Sequence, residues 1–423
     1  MRIPLQSRTT KILLLSGCIL PAVLYFMFSA VDFLAAHFAE NPNFASLSRA
    51  VRLQPRNAEY QYRLGRYLSL AELAPAQAEA PFRAAVALNP HQARYWMALA
   101  GTYQSLGDDQ RQGTSLERAL NAEPTTPEVA WEAANFYIVR GDTATALKNL
   151  HVVLANDPYL PPSALRLCWK INPDADFLLR EVVPPITSVN SSFLEYLISE
   201  NETVAAAKVW DRLIGLNQPI DRRYIFEYVR YLATKQQPDQ AKLVWQKAAN
   251  LSDLAAYQPS AENLVVNGDF NQEILNAGFD WMYQQSPDVS LTLDPTQFHS
   301  GHGSLHLEID TRGIEDAGIR QLIAVSPNTS YQFSAYFKAE SLEGAGGLHF
   351  VVQDLYSGKT YFTSEDFSNV DFWKQIVGSF STEDNSKLAI LRIQRLPARS
   401  PIKGRLWVDG VRLYAVRAQG GDH

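Results

Sequence analysis

Cysteine is scarce in this sequence. Cys18 and Cys168 are the only two in 423 residues, too few for a disulfide framework, and no CxxC or Cys/His cluster has zinc-site spacing. Structural zinc and dithiol redox chemistry therefore have no residues to work with. A basic excess is missing too: 38 basic against 44 acidic residues leave a charge of −6, which gives no net field to hold nucleic-acid phosphates. The eight histidines form no HExxH, no glycine-rich stretch reads GxxxxGKS, GxxxxGKT or GxGxxG, and no GxSxG elbow occurs. What remains is globular composition, 46% hydrophobic and 11% aromatic, with length for about two to four domains. Such a chain speaks of binding more than of catalysis.

One long charge-free run is present, the twenty residues from Ile12 to Val31. That length fits a hydrocarbon core of about 30 Å. Arg2, Arg8 and Lys11 precede the run and Asp32 and Glu40 follow it, so the positive-inside rule places residues 1–11 in the cytoplasm as a short tail and the bulk of the chain outside. The expectation is a single-pass membrane anchor at 12–31, with the body in an extracytoplasmic space, periplasmic in a bacterium. Two other readings stay open. A cleavable signal peptide should have an apolar region of about 7–15 residues and small residues at the cut, whereas this run is longer and Phe28 spoils the Phe28-Ser29-Ala30 position. Leu15-Ser16-Gly17-Cys18 is similar to the lipobox of bacterial lipoproteins, although only a short apolar stretch precedes it.

From Asn43 to Leu160 the chain repeats itself. The segment ends AVRLQP, AVALNP, ALNAEP and VLANDP close on Pro55, Pro90, Pro124 and Pro158, spaced 35, 34 and 34 residues apart. This resembles the tetratricopeptide repeat, a helix-turn-helix unit of about 34 residues. Leu64, Gly65, Trp96, Leu99, Tyr103, Ala134 and Tyr137 fall where that family packs its first helix. Ala78, Phe82, Ala85, Leu116, Ala119, Ala146 and Leu150 fit the second. Small residues let two helices approach while large ones fill the adjacent gaps, and Gly107-Asp108 and Gly141-Asp142 supply turns. The pattern fades after Pro158 and returns in TVAAAKVWDRL and PDQAKLVWQKA, which repeat Ala206/Trp210 as Ala241/Trp245. The expectation is an all-α solenoid of about six hairpins over 42–256. The resemblance implies a concave groove that holds segments of protein partners, with Tyr62, Arg66, Arg94, Met97, Gln104, Trp131 and Asn135 turned toward it. The plainer alternative is that Trp131 and Met97 pack and the arginines form a solvated face.

Helical periodicity ends at Gln258-Pro259-Ser260-Ala261 and alternation of period two takes over. Strands are expected at 289–294, 303–310, 317–325, 329–339, 346–355, 359–364, 373–381, 386–395 and 404–414, a series without helices that argues for an antiparallel sandwich. NLVVNGDF at 263–270, Trp281, GHGSLHLEI at 301–309, YQFSAYFKA at 331–339, FWKQIVGSF at 372–380 and LWVDGVRL at 406–413 come in a recognisable order. They resemble carbohydrate-binding modules of the family 4, 9 and 22 type, jelly-roll sandwiches also grouped as galactose-binding-like. The resemblance covers 262–416 and leaves 417–423 as a tail.

The resemblance implies two kinds of site. One is a structural calcium held by Asp269, Asn271, backbone oxygens near His299 to His302, and Asp409, with Asn271 standing where a glutamate is usual; without an ion, Asp269 and Asn271 would be turn formers. The other is a sugar site, which needs a ring to stack on the CH face of a pyranose and polar neighbours for its hydroxyls. In YQFSAYFKA, Tyr331, Phe333, Ala335 and Phe337 share the apolar parity, which turns Tyr336 outward. In LAILRIQRL the same parity turns Arg392 and Gln394 outward. With Gln353 from a neighbouring strand and Trp281 and Tyr283 from an early loop, these make the candidate carbohydrate site. Trp373 and Trp407 read as core.

The sequence therefore predicts a multidomain, non-enzymatic cell-envelope protein: a transmembrane helix, a helical-repeat scaffold for protein partners, and a terminal β-sandwich that binds a polysaccharide or oligosaccharide, in polysaccharide export or assembly. The alternative is an assembly scaffold whose sandwich is a spacer. A glycoside hydrolase would need two carboxylates about 5–10 Å apart in a cleft, and the adjacent pair Glu365/Asp366 would diverge from a strand end.

Overall fold

The computed structural model of the chain describes residues 8–159, 161–284, 286–311, 314–344 and 346–416; the expected tail at 417–423 and residues 1–7 of the expected N-terminal tail lie outside them. The chain divides into two compact units, Met1–Val189 and Asn190–His423.

The first unit begins with α1, Arg8–Glu40, a helix of 33 residues with Pro21 inside it. At about 1.5 Å per residue it is roughly 50 Å long. Its stretch Leu15–Glu40 is long and apolar enough to cross a bilayer by length and composition. Leu20, Phe26 and Phe28 are exposed, whereas Ala35 and Ala39 near its end are buried. Short helices follow: α2 (Phe44–Leu53), α3 (Ala58–Leu70), α4 (Pro75–Leu88), α5 (Ala93–Ser105), α6 (Asp109–Ala122), α7 (Pro127–Val139), α8 (Thr143–Asn156), α9 (Pro161–Ile171) and α10 (Ala175–Glu181), while α11 (Thr187–Ser199) runs across the division between units. Each repeat proline sits just past a helix, since Pro55, Pro90, Pro124 and Pro158 follow the C-terminal caps of α2, α4, α6 and α8. The side chains of Asn57, Asp108 and Asp142 cap α3, α6 and α8 by accepting N–H groups of the first turn. Gly107 and Gly141 take left-handed backbone at φ 71° and 76° to turn one helix into the next. Within the first hairpin, a Cβ on Gly65 would stand 2.6 Å from the Phe82 ring, so the absent side chain is what lets α3 and α4 close on buried Ala78, Phe82 and Ala85.

The second unit carries α12 (Thr203–Leu216), α13 (Arg222–Thr234) and α14 (Pro238–Ala248), then ten strands among the described residues. These are β1 (Trp281–Tyr283), β2 (Val289–Asp294), β3 (Ser304–Thr311), β4 (Asp316–Ala324), β5 (Ser330–Gly344), β6 (Gly347–Asp354), β7 (Thr360–Thr363), β8 (Val370–Ser381), β9 (Leu388–Leu396) and β10 (Ile402–Ala415). They form two antiparallel sheets, ordered β1-β4-β9-β6-β7 and β2-β3-β10-β5-β8. The nine expected strands all appear, and β1 is added to them. Leu305, Leu307, Phe333, Phe337, Phe350, Val352, Leu391, Ile393 and Leu406 fill the space between the sheets, which is the period-two alternation realised on facing strands.

In this unit the helices are joined to the sandwich by Trp245 of α14, which is 1% exposed. Its indole donates to the Tyr257 carbonyl at 2.8 Å and lies against the rings of Phe226 and Phe279. Gly278, at φ 64°, forms the wall of its seat: a Cβ there would fall 2.0 Å from the indole. Tyr356 adds a hydrogen bond from its hydroxyl to the Ala233 carbonyl at 3.0 Å, and Lys387 pairs with Asp239 at 2.6 Å.

Trp245→Ala is expected to cost about 3–5 kcal/mol, since it empties a large buried volume, read as a lowered urea midpoint; a loss below about 1 kcal/mol would show that the seat is not a core. Asp280, fully buried beside that seat, gives the second unit a pH dependence. Burial pushes its carboxyl up to about 6 although the Leu275 and Trp281 amides hold it down. The folded state therefore keeps a proton that the unfolded chain, with an ordinary Asp near 3.9, releases. This contribution to stability is present below about pH 4 and is lost as pH rises through about 6. Asp280→Asn should accordingly be more stable than the parent at pH 7.5 by about 1–3 kcal/mol and nearly equal to it at pH 4, as measured by urea unfolding at both values.

Candidate functional site

The two sheets turn different faces outward. On the first, register aligns Met282, Arg320, Arg392 and Val351 across β1, β4, β9 and β6. The adjoining rows set His349 opposite Gln394 and Gln353 opposite Ile390. Because Leu391, Ile393, Phe350 and Val352 point into the core, these alternate residues face away from it. Arg392 donates to the Gln353 amide oxygen at 2.6 Å and stands 3.6 Å from Asp316, while Gln353 donates to the Thr360 hydroxyl at 2.9 Å. Burial raises the Asp316 carboxyl, and the Gly318 amide, Arg392 and Arg320 counter it. The result is a preset patch of guanidinium and amide groups able to donate to and accept from hydroxyls.

Where the same face meets α13, it bounds a cavity of about 720 Å³. Phe226, Glu227 and Arg230 line it from the helix, and Met282, Arg320, Leu322 and Ile390 from the sheet. A second hollow of about 660 Å³ adjoins it, sharing Asn276, Met282 and Arg320, and takes in Tyr283, Asp316 and Gly318.

The second sheet presents rings on its outer side. Tyr336 stacks on His299 with centroids 3.6 Å apart, and Trp373 meets the same imidazole edge-on at 6.1 Å. Trp407 stacks on His306 at 4.6 Å and donates to Asp294 at 2.8 Å.

Of the six residues expected to hold sugar, Gln353, Arg392 and Gln394 lie together on the first sheet. Tyr336 does not join them: it belongs to β5 in the opposite sheet, because alternation fixes whether a side chain faces the core but not which sheet carries its strand. Trp281 is corrected as well. It is 1% exposed, stacked on Phe270, and donates to the Asn267 carbonyl at 3.0 Å, so it fills the core. Tyr283 is half-buried at the edge of the core and lines the second hollow. Trp373 and Trp407, expected in the core, face outward on the second sheet, where Trp407 is buried by its own neighbours. The α13 side of the cavity was missed; its signal was the Arg223, Phe226, Arg230 spacing on one helical face.

Among the expected groove residues, Tyr62 packs against Phe82 and Tyr95, and Arg94 lies over its ring while pairing with Glu59 at 2.7 Å. Met97 packs beside Ala93, Ala119 and Val129. Asn135 bonds the Trp131 carbonyl at 3.0 Å, and both residues are half-buried. Arg66 and Gln104 stay exposed. Tyr62 and Met97 thus serve packing, as the spacing of large residues beside small ones requires.

The expected calcium ligands do not fit an ion as they are placed. Asp409 is fully buried, and its carboxylate accepts the His299 and Ser300 amides at 2.7 and 2.8 Å and that of Gly410 at 2.6 Å. Asn271 accepts the His302 amide at 2.5 Å and donates to Asp269 at 2.6 Å. The loop thus turns N–H groups to these oxygens where a hard cation would require carbonyls. Burial raises the Asp409 carboxyl, and those amides oppose the rise.

Comparison with known proteins bears on the same segment. Residues 262–398 match the family model of a carbohydrate binding domain. Similar solved structures include one titled CBM4 structure and function (15% identity, 36% of this chain and 99% of that one, TM-score 0.28). Another is the CBM22-1 xylan-binding domain from Paenibacillus barcinonensis (18% identity, 38% and 98%, TM-score 0.26). A third is the pilF protein of Pseudomonas aeruginosa (16% identity, 53% and 91%, TM-score 0.26). No curated protein matches the sequence significantly.

Treatment of the full chain with a chelator is expected to leave its thermal unfolding midpoint unchanged, whereas Asp409→Ala should cost about 2–4 kcal/mol by leaving buried amides unpaired. A midpoint that falls on chelation and recovers with calcium would reinstate the ion.

Proposed function

We propose that this is a non-enzymatic, membrane-anchored envelope protein whose β-sandwich binds a glycan and whose helical hairpins recruit a protein partner. In this reading α1 holds the chain in the bilayer with the bulk of it outside the cytoplasm, and the setting is polysaccharide export or assembly. The observation that carries the glycan reading is the Gln353, Arg392 and Gln394 patch on an outward sheet face, inside the segment that matches a carbohydrate binding domain model. Amide and guanidinium groups suit vicinal hydroxyls, because each offers paired hydrogen bonds in fixed directions. Few such bonds and lost sugar freedom imply modest affinity, with dissociation constants from about micromolar to millimolar, roughly −4 to −8 kcal/mol. For the partner role, Arg66 and Gln104 are the exposed members of the expected groove set.

The test is a glycan array and affinity electrophoresis with the full chain in non-ionic detergent. A ligand should be found, and Gln353→Ala with Gln394→Ala should weaken it about tenfold, or about 1.4 kcal/mol, with the unfolding midpoint kept. Uniformly blank results for folded protein would make the sandwich a spacer. In carbonate extraction the chain should remain with the membrane; release into the supernatant would remove the anchor from this reading.

A further inference from the structure

The cavity beside the first sheet has a wall that the sandwich does not supply. Helix α13 lays Arg223, Phe226, Glu227, Arg230 and Thr234 along it, and that spacing of three, four, seven and eleven residues is one face of a helix. Trp245 in its Gly278 seat, with Tyr356 bonded to Ala233, holds that face over β4 and β9.

The charges on this wall run against those of the chain. The lining contains three arginines, Arg223, Arg230 and Arg320, against the single carboxylate of Glu227, in a protein whose net charge is −6. Among the described residues neither Arg230 nor Arg320 forms an ion pair within 4 Å, although Arg320 interacts electrostatically with Asp316 at the adjoining hollow. Arg223 lies over the Tyr224 ring and donates to its hydroxyl at 2.7 Å. Guanidinium groups gathered around a partly enclosed hollow repel one another, and that repulsion is relieved by an anion. Between them the surface is apolar, with Phe226, Leu322, Tyr356 and Ile390 available to the CH faces of sugar rings. A volume of about 720 Å³ falls within the range of about 300–1,000 Å³ common for ligand pockets. Arg320 is also the direct cross-strand neighbour of Arg392, so the hollow runs on into the Gln353, Arg392 and Gln394 patch without a break in polar groups.

We propose that the glycan taken by this face is acidic, a chain of carboxylate-bearing sugars, and that α13 completes its site. Arg230 from the helix and Arg320 from the sheet receive carboxylates from opposite sides, in the forked geometry that guanidinium and carboxylate share. Phe226 and Tyr356 receive the ring faces, and the Gln353 and Arg392 patch takes hydroxyls of the sugars beyond. The proposal rests on the glycan-binding reading above and adds the ligand's charge and the helix that selects it.

The experiment compares a panel of oligouronides with their carboxyl-reduced counterparts, which keep the backbone and lose the charge, by titration calorimetry against the full chain in non-ionic detergent. Binding of an oligouronide is expected, with its carboxyl-reduced form at least about tenfold weaker. Raising the salt from low to several hundred millimolar should weaken the acidic ligand by a similar factor and the reduced one little. Arg230→Ala with Arg320→Ala should abolish the difference between the two forms at an unchanged unfolding midpoint. Arg412→Ala, an exposed change on the opposite sheet, should not alter it. Equal binding of acidic and reduced forms, or an equal loss with Arg412→Ala, overturns the proposal. Binding of neutral glycans alone, indifferent to Arg230 and Arg320, overturns it and leaves the glycan reading standing. Absence of binding to every acidic and neutral glycan removes both.

Discussion

The second unit depends on one fitted contact, the indole of Trp245 against a glycine that has no Cβ to offer. Gly278 adopts a left-handed φ of 64° at that point, and any side chain there would occupy the space the ring fills. The contact fixes α14, and α14 with its hairpin partner α13 fixes which part of the first sheet is covered. Leu322 and Ile390, apolar residues on an outward face, thereby gain a helix opposite them instead of open solvent. The arginines of α13 are brought to the arginine of β4 by the same constraint, so the electrostatic character of the hollow follows from a packing requirement at some remove from it.

At the loop beside the second sheet, side-chain oxygens are satisfied by backbone amides. Asp409 and Asn271 gather the backbone amides of the His299 to His302 loop, and the loop is thereby positioned to bring the His299 ring onto Tyr336. Buried carboxylates that accept several amides carry a desolvation cost partly offset by those bonds. The same balance recurs at Asp280, which accepts the Leu275 amide at 2.7 Å.

Much of this architecture was legible in the sequence, because backbone chemistry is local. A proline cannot continue a helix, so four prolines at a near-constant period mark four helix ends, and all four stand just past one. Strand parity was legible for the same reason: Phe333 faces in and Tyr336 faces out, as alternation requires. What parity does not contain is which sheet a strand joins. Tyr336 and Arg392 are both outward, yet strand order puts them on opposite sides of the molecule. Trp281 shows a second limit, since a lone aromatic in a loop carries no periodicity to say that its ring packs on Phe270. The role of α13 was hidden for a third reason. Arg223 and Arg230 belong to a helical segment and Arg320 to a strand nearly a hundred residues later, and only the seating of Trp245 makes them neighbours.

Burial along α1 changes sharply within one continuous helix. From Leu15 through Phe28 the side chains are turned to the surroundings, while Ala35 and Ala39 are sealed against the following hairpin; Arg63 reaches the Ala39 carbonyl at 3.3 Å, and Arg49 covers Phe38. The last two turns of α1 thus act as the closing cap of the repeat stack, and the apolar length before them contributes almost nothing to its interior. Folding of the stack is therefore thermodynamically separable from the fate of the apolar length before it. Proteolytic loss of the leading apolar residues would leave the end of the solenoid sealed, whereas a break between Asp32 and Glu40 would expose the first hairpin's edge to water.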